Sequence, residues 1–303
     1  GGRRGLPSST PGPPVSVRLE EFATMDARFH AAQAAIRADQ PDRLEELLAA
    51  QPELLHLPSL DPRDHPNLLN CLVLETPPRR ELPRLLRLFR DGGADLASAL
   101  VAAASGNNRP AVEELLALGA PLDAPGGWSA LDEALYWVHT DLVALLRERG
   151  ASVRGLRGWA AVGDLAQVRA CFDDKGELTE QAGELAWPFG RHPPGENLRD
   201  RGALMSNALG HACQWGQWEV ARELVARGAE VNALVAGFDF NGTALHYAAL
   251  HNHRGVCDWL LEQGADPTIR DGKVHKFPDD WATHGGHHEL SAHLAGIRHR
   301  HGR

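Results

Sequence analysis

The sequence predicts an all-α fold in which short helices pair and stack into an elongated array. Three observations predict it. Ala and Leu dominate a chain whose aromatic residues make up only 6%, a composition suited to helices that pack closely through small side chains. Apolar residues recur three and four positions apart, the spacing of one helix face. A helix-ending glycine followed by alanine returns repeatedly along the 303 residues, and such self-similarity marks a repeat architecture.

The elements follow in chain order. Residues 1–24 open with a stretch crowded with Gly, Pro and Ser, expected to be a disordered arm. From Asp26 to Leu57 a helix pair is expected without the glycine ending, as in a terminal repeat that faces water on one side. Gly92-Gly93-Ala94-Asp95 closes the next recognisable unit, Gly119-Ala120 another, and Gly150-Ala151 a further one. The unit that starts at Gly158 dissolves into an insertion of about residues 173–203. Glu180 to Trp187 can form a short helix there, while Pro188, Pro193 and Pro194 forbid regular structure beyond it. Gly228-Ala229 closes the following unit, the clearest copy spans Phe238 to Arg270, and Gly272 to Leu294 reads as a cap. Residues 299–303 form a basic, His-bearing tail.

In the clearest copy, Thr243 can cap the first helix, and Ala248 and Ala249 let neighbouring helices approach. Asn252 tolerates the left-handed conformation that ends a helix, Val256, Leu260 and Leu261 share one face, and Gly264 terminates the second helix. Thr243-Ala244-Leu245-His246 resembles the Thr-Pro-Leu-His motif of the ankyrin repeat, with Ala244 in place of proline. The resemblance recurs at that family's period of about 33 residues. It implies an ankyrin-repeat solenoid of about eight helix-turn-helix repeats over residues 25–298, with capping terminal repeats and one long insertion. It also implies that the first helices and hairpin turns line a concave groove, that His246 and His253 stitch neighbouring repeats, and that protein binding is the default activity.

Charge and cysteine usage exclude several classes. A formal net charge of −9 repels phosphate backbones, so no nucleic-acid partner is expected. No apolar run suits a membrane span and no signal pattern opens the chain, so a cytoplasmic protein without a membrane partner is expected. Cys71, Cys171, Cys213 and Cys257 are scattered within apolar helical patterns, as for reduced core residues rather than a disulfide or metal set. His288 and His293 are five apart, which turns them about 140° from each other on a helix, too far to share one zinc. Neither a metal nor a cofactor is expected.

Aligned on the clearest repeat, the groove presents Tyr136, Trp137, His211, Gln214, Trp215, Tyr247, His251, Trp281 and His284. Tyr and Trp anchor binding surfaces because they bury much area at low entropy cost. His211, Tyr247 and Trp281 are expected to form a ladder along it. The plain alternative is that these large side chains pack on one another. The insertion carries Trp187, Phe189 and His192 and can act as a lid, which makes a small-molecule pocket or an unusual enzyme the second expectation. No nucleophile elbow, P-loop or dinucleotide fingerprint occurs. The candidate acid–base residues are Glu133, His211 and His251, but stacking places Glu133 and His211 about 20 Å apart. Asp132 stands where the motif histidine belongs and is expected to bond backbone locally.

Overall fold

The computed structural model describes residues 27–57, 67–74, 81–123, 128–186 and 197–301. The arm expected at residues 1–24 lies outside them. The described elements are helices, with isolated bridge positions at Asn67 and, antiparallel, between Phe172 and Leu178. No described helix is long and apolar enough to cross a membrane. The chain divides into two compact units, residues 1–120 and 121–303.

The first unit contains α1 (residues 27–37), α2 (Pro41–Ala50), α3 (Leu68–Leu74), α4 (Leu82–Asp91), α5 (Leu96–Ser105) and α6 (Arg109–Ala117). Its core is apolar and mostly aliphatic, with Ile36, Leu44, Leu72, Leu86, Leu100 and Leu115 buried together with Phe89. Asp95 starts α5 by accepting the amides of Ala97 and Ser98, satisfying donors that a helix start leaves free. Asn108 does two things. Its Oδ1 caps α6 at the Ala111 amide, and its Nδ2 donates to the Val73 carbonyl at 2.7 Å, tying α6 to α3.

The second unit contains α7 (Ala130–Tyr136), α8 (Thr140–Glu148), α9 (Gly155–Val162), α10 (Leu165–Ala170) and α11 (Arg201–Gln214). It continues with α12 (Trp218–Ala226), α13 (Ala244–Leu250), α14 (Arg254–Glu262), α15 (Pro278–His284) and α16 (His288–His301). The odd-numbered helices pack on one another in sequence, and each even-numbered helix folds back on the one before it. Ala134, Ala160, Ala208, Ala212, Ala248 and Ala282 are completely buried; their size permits this close approach. Side-chain bonds to backbone reinforce the stack. His253 Nε2 donates to the Gln214 carbonyl at 2.9 Å, and Gln217 Nε2 donates to the Ala161 carbonyl at 3.0 Å. His246 accepts the Thr243 amide at Nδ1 and donates from Nε2 to the Lys276 carbonyl. The four cysteines are buried and none is in a disulfide.

Two regions differ from expectation. Within the insertion, a single 3-10 turn at Glu180–Ala182 stands where a helix over 180–187 is expected. Gly183 ends that turn with φ 76°, and the Leu185 amide then donates to the Leu198 carbonyl. Residues 187–196, including Trp187, Phe189 and His192, lie outside the described residues. Asp200 caps α11 through the Ala203 amide, so the insertion gives way to helix at Arg201. At the other end α16 runs on to His301, taking in most of the expected tail. Leu290 and Leu294 anchor it in the core, and its basic last turn suits the negative helix terminus.

After α7 the left-handed position is filled by Val138 at φ 60°, where other first helices end in Gly163, Gly216, Asn252 or Gly286. A β-branched side chain is strained there. Val138→Gly is expected to raise the unfolding free energy by about 0.5–1 kcal/mol, the relieved strain exceeding the freedom glycine adds to the unfolded chain. A lower urea midpoint for the variant would contradict that account.

Candidate functional site

The site is built on a loop between α12 and α13. Asn207 Nδ2 donates to the Ala236 carbonyl at 2.7 Å, and the Val235 amide donates to the Gly242 carbonyl at 2.9 Å, closing the loop's base. Gly237 is required between them. Its φ is 75°, and a Cβ there would sit 2.9 Å from the Ala186 carbonyl oxygen. This turn drives Phe238 inward, where its ring lies 5.1 Å from Tyr136, 4.6 Å from His211 and 4.4 Å from Tyr247. The Asp239 amide donates to the Tyr136 hydroxyl at 3.0 Å, and the Gly242 amide donates to the Tyr247 hydroxyl at 3.4 Å. Each phenol is thereby fixed at both ends.

Two buried carboxylates orient the tryptophans. Glu133, with no exposed surface, accepts the Trp137 indole N–H at 2.8 Å and also that of Trp128. Asp271 gathers the amides of Lys273, Val274, His275 and Lys276 and the Trp281 indole. Burial alone would raise the Asp271 pKa, but the amides of Val274, Lys276 and Lys273 and the Trp281 indole outweigh it and hold it down to about 2. Trp281 in turn meets Tyr247 at 5.1 Å and Phe240 at 6.1 Å, both edge-on. Phe240 remains 38% exposed and Trp137 42% exposed.

These side chains enclose a cavity of about 710 Å³. Tyr136, Trp137, Gln214, Tyr247, His251, Trp281 and His284 from the predicted groove all line it. Phe238, Phe240, Leu250, Val274, Lys276, Asp280 and Thr283 complete the wall.

The sequence of the same region matches known repeats. Residues 189–271, which carry α11 to α14 and the Phe238 loop, match the family model of ankyrin repeats in three copies. This part of the chain carries ankyrin repeats. Two curated relatives are similar over part of the chain. Palmitoyltransferase Hip14 of Drosophila melanogaster is 37% identical over 76 residues, 25% of this chain and 12% of that protein. Palmitoyltransferase AKR1 of Lachancea kluyveri is 39% identical over 54 residues, 18% of this chain and 7% of that protein. The chain therefore spans only about a tenth of these relatives' length or less.

Two predicted groove residues stand away from the cavity wall. Trp215 is half-buried, and its indole donates to the Leu135 carbonyl at 2.8 Å. His211 is buried against Phe238. The ladder expected from His211 to Tyr247 and Trp281 is interrupted, because Phe238 occupies the space between the first two. The ends of α7 and α11 also meet directly, since Gln214 Nε2 donates to the Tyr136 carbonyl at 2.7 Å.

The acid–base candidates do not converge. Glu133 is spent on two indoles, and His211 Nδ1 has no hydrogen-bond partner among the described residues. Burial, with the charge of Arg157 adding to it, pushes the His211 pKa down to about 3, which leaves a neutral ring at pH 7. Only His251 of the three reaches the cavity. Asp132 closes a capping box with Ser129 and pairs with Arg157 at 2.7 Å. Among the described residues no group of three or more His, Cys, Asp or Glu could hold a metal ion. Sequence reasoning missed Val274, Lys276, Asp280 and Thr283 on the wall and, among its rings, Phe238 and Phe240, whose only signal was an aromatic pair flanking Asp239 ahead of the repeat motif.

Proposed function

We propose that this chain binds a protein partner, and that the partner seats a side chain in the cavity beside Trp137 and Phe240. The reading takes the helix pairs as solenoid repeats whose first helices and turns present the binding face. One observation carries it. Among the described residues four large apolar side chains are exposed, Trp137, Leu234, Phe240 and Val274, and three of them line this one cavity. Folding stability gives no reason to gather exposed apolar surface in one place, whereas binding does. The volume of about 710 Å³ also lies in the range of ligand pockets, which supports a small molecule as the second reading. No described residue of the insertion lines the wall. The palmitoyltransferase activity named for the two relatives is not carried over on matches of their extent.

Tyr136 and Trp215 are poor positions for a test, because both are engaged in the protein's own packing. Trp137 and Phe240 are better. The double variant Trp137→Ala/Phe240→Ala of the full chain is expected to lose at least about 30-fold in affinity for partners recovered from the native host. Its melting temperature is expected to fall by no more than about 8 °C, since Trp137→Ala also takes one indole N–H from the buried Glu133. Unchanged partner binding by a folded double variant would sink the proposal.

A further inference from the structure

We propose that the turn between α7 and α8 is a hinge that gates the cavity: Trp137 exchanges between its place in the wall and a released position, and the valine at 138 keeps the two close in energy. The hinge does not depend on what the cavity binds.

Val138 carries the argument. Its φ is 60°, and among the described residues it is the one β-branched side chain with positive φ, the other non-glycine cases being Asp, Asn and His. Asparagine and aspartate visit the left-handed region routinely, whereas branching at Cβ makes it costly. Such strain persists only where the surroundings impose it, and it clusters in ligand clamps and switch regions. Here the neighbours impose it. The Leu135 carbonyl accepts the Trp215 indole at 2.8 Å, the Tyr136 carbonyl accepts Gln214 Nε2 at 2.7 Å, and the Tyr136 hydroxyl accepts the Asp239 amide at 3.0 Å. On the far side α8 is anchored by Leu142, Val143, Leu145 and Leu146, all buried. Both ends of the turn are therefore fixed, and movement is confined to Trp137, Val138 and His139.

Little holds Trp137 in the wall. It is exposed, its ring meets Tyr136 edge-on at 5.0 Å, and its indole donates to Glu133 at 2.8 Å. Glu133 keeps the Trp128 indole when Trp137 leaves, so its buried carboxylate is not stranded. Two backbone bonds close the turn, from the Trp137 amide to the Glu133 carbonyl at 3.1 Å and from the His139 amide to the Ala134 carbonyl at 2.9 Å. Neither Val138 nor His139 is buried, so water can take over these helix-end groups. When Val138 returns to negative φ the bonds open and the strain is relieved, which offsets part of their loss. An element with two states a small free energy apart populates the minor one measurably. Trp137 is one of three exposed apolar side chains around the cavity, so its release widens the mouth on the α7 side.

The test uses the full chain labelled with nitrogen-15 at tryptophan, with relaxation dispersion read at each indole N–H. Trp137 is assigned by the signal that Trp137→Phe removes. Its indole is expected to show millisecond exchange, and the Trp215 indole, bonded across to α7, none. Val138→Asn is expected to lower the released population about 5- to 30-fold, equivalent to about 1–2 kcal/mol of left-handed strain at 1.36 kcal/mol per tenfold. The Trp137 profile of that variant should be flat. Val138→Ile keeps the branching and is expected to keep the exchange. A flat Trp137 profile in the parent protein, or exchange that Val138→Asn leaves unchanged, overturns the inference; if the isoleucine variant fails to fold, the parent and asparagine profiles still decide. No partner enters the measurement, so either result leaves the binding role to its own test.

Discussion

Phe238→Ala is expected to lower the unfolding free energy of the second unit by about 3–5 kcal/mol, the range for emptying a fully packed phenylalanine site. Phe238 is 3% exposed, and its ring lies within 5.1 Å of the ring centres of Tyr136, His211 and Tyr247. Those three rings belong to α7, α11 and α13. They cannot close on the vacated space without shifting whole helices, so the cavity term is felt in full. The loss also frees the loop whose Asp239 amide holds the Tyr136 hydroxyl. All eight tryptophans fall within residues 128–281, so indole fluorescence in urea reports on this unit alone. Phe238→Leu should cost less than about 2 kcal/mol, since it retains most of the volume. A loss below about 1 kcal/mol for the alanine variant would mean that the loop does not brace the helices.

The helix pairs were legible in the sequence because each turn needs a residue that tolerates positive φ, and Gly150, Gly163, Gly216, Gly228, Asn252 and Gly264 stand at such turns. The ends of the first helices were legible where such a turn follows, as at His251 just before Asn252 and at Trp281 five residues before Gly286, whereas Tyr136 and Trp137 precede Val138 and were placed by aligning the helix to the clearest repeat. Periodicity says nothing about a side chain that leaves the helical frame. Phe238 sits in an irregular loop, and its direction is set by Gly237 and by contacts with Asn207 and Ala186 far away in sequence. Trp215 shows the complementary limit. It occupies the same register as Trp137, yet a carbonyl at Leu135 lies within reach of its indole. The equivalent ring at Trp137 instead finds Glu133 within its own helix and stays exposed. Which of two equivalent tryptophans packs and which faces outward depends on the acceptor each one meets, and that is a tertiary fact.

Acidification from pH 6.5 to about 4 is expected to destabilise the second unit steeply, well before Asp271 titrates. His211 is held neutral down to about 3, His246 to about 4 and His251 to about 4, in each case chiefly because burial disfavours the imidazolium. In the unfolded chain the same histidines protonate near 6.5. Between these values the unfolded state carries protons that the folded state refuses, so unfolding takes up protons and stability falls as pH falls. Each such histidine contributes about 1.4 kcal/mol per pH unit inside the window. The stability is fully present above pH 6.5 and is lost as pH drops towards the folded values. Asp271, held to about 2, adds nothing there, because its contribution persists until pH falls below the ordinary carboxylate range. Fluorescence-detected urea midpoints at pH 7, 6 and 5 should therefore step downward, and His211→Gln should make the steps shallower by removing one of the three titrations. The shallower slope distinguishes buried histidines from a general effect of charge. At pH 5 a −9 chain loses net negative charge, which relieves self-repulsion and acts in the opposite direction. A midpoint that holds steady or rises from pH 7 to 5 would show that these rings accept protons in place.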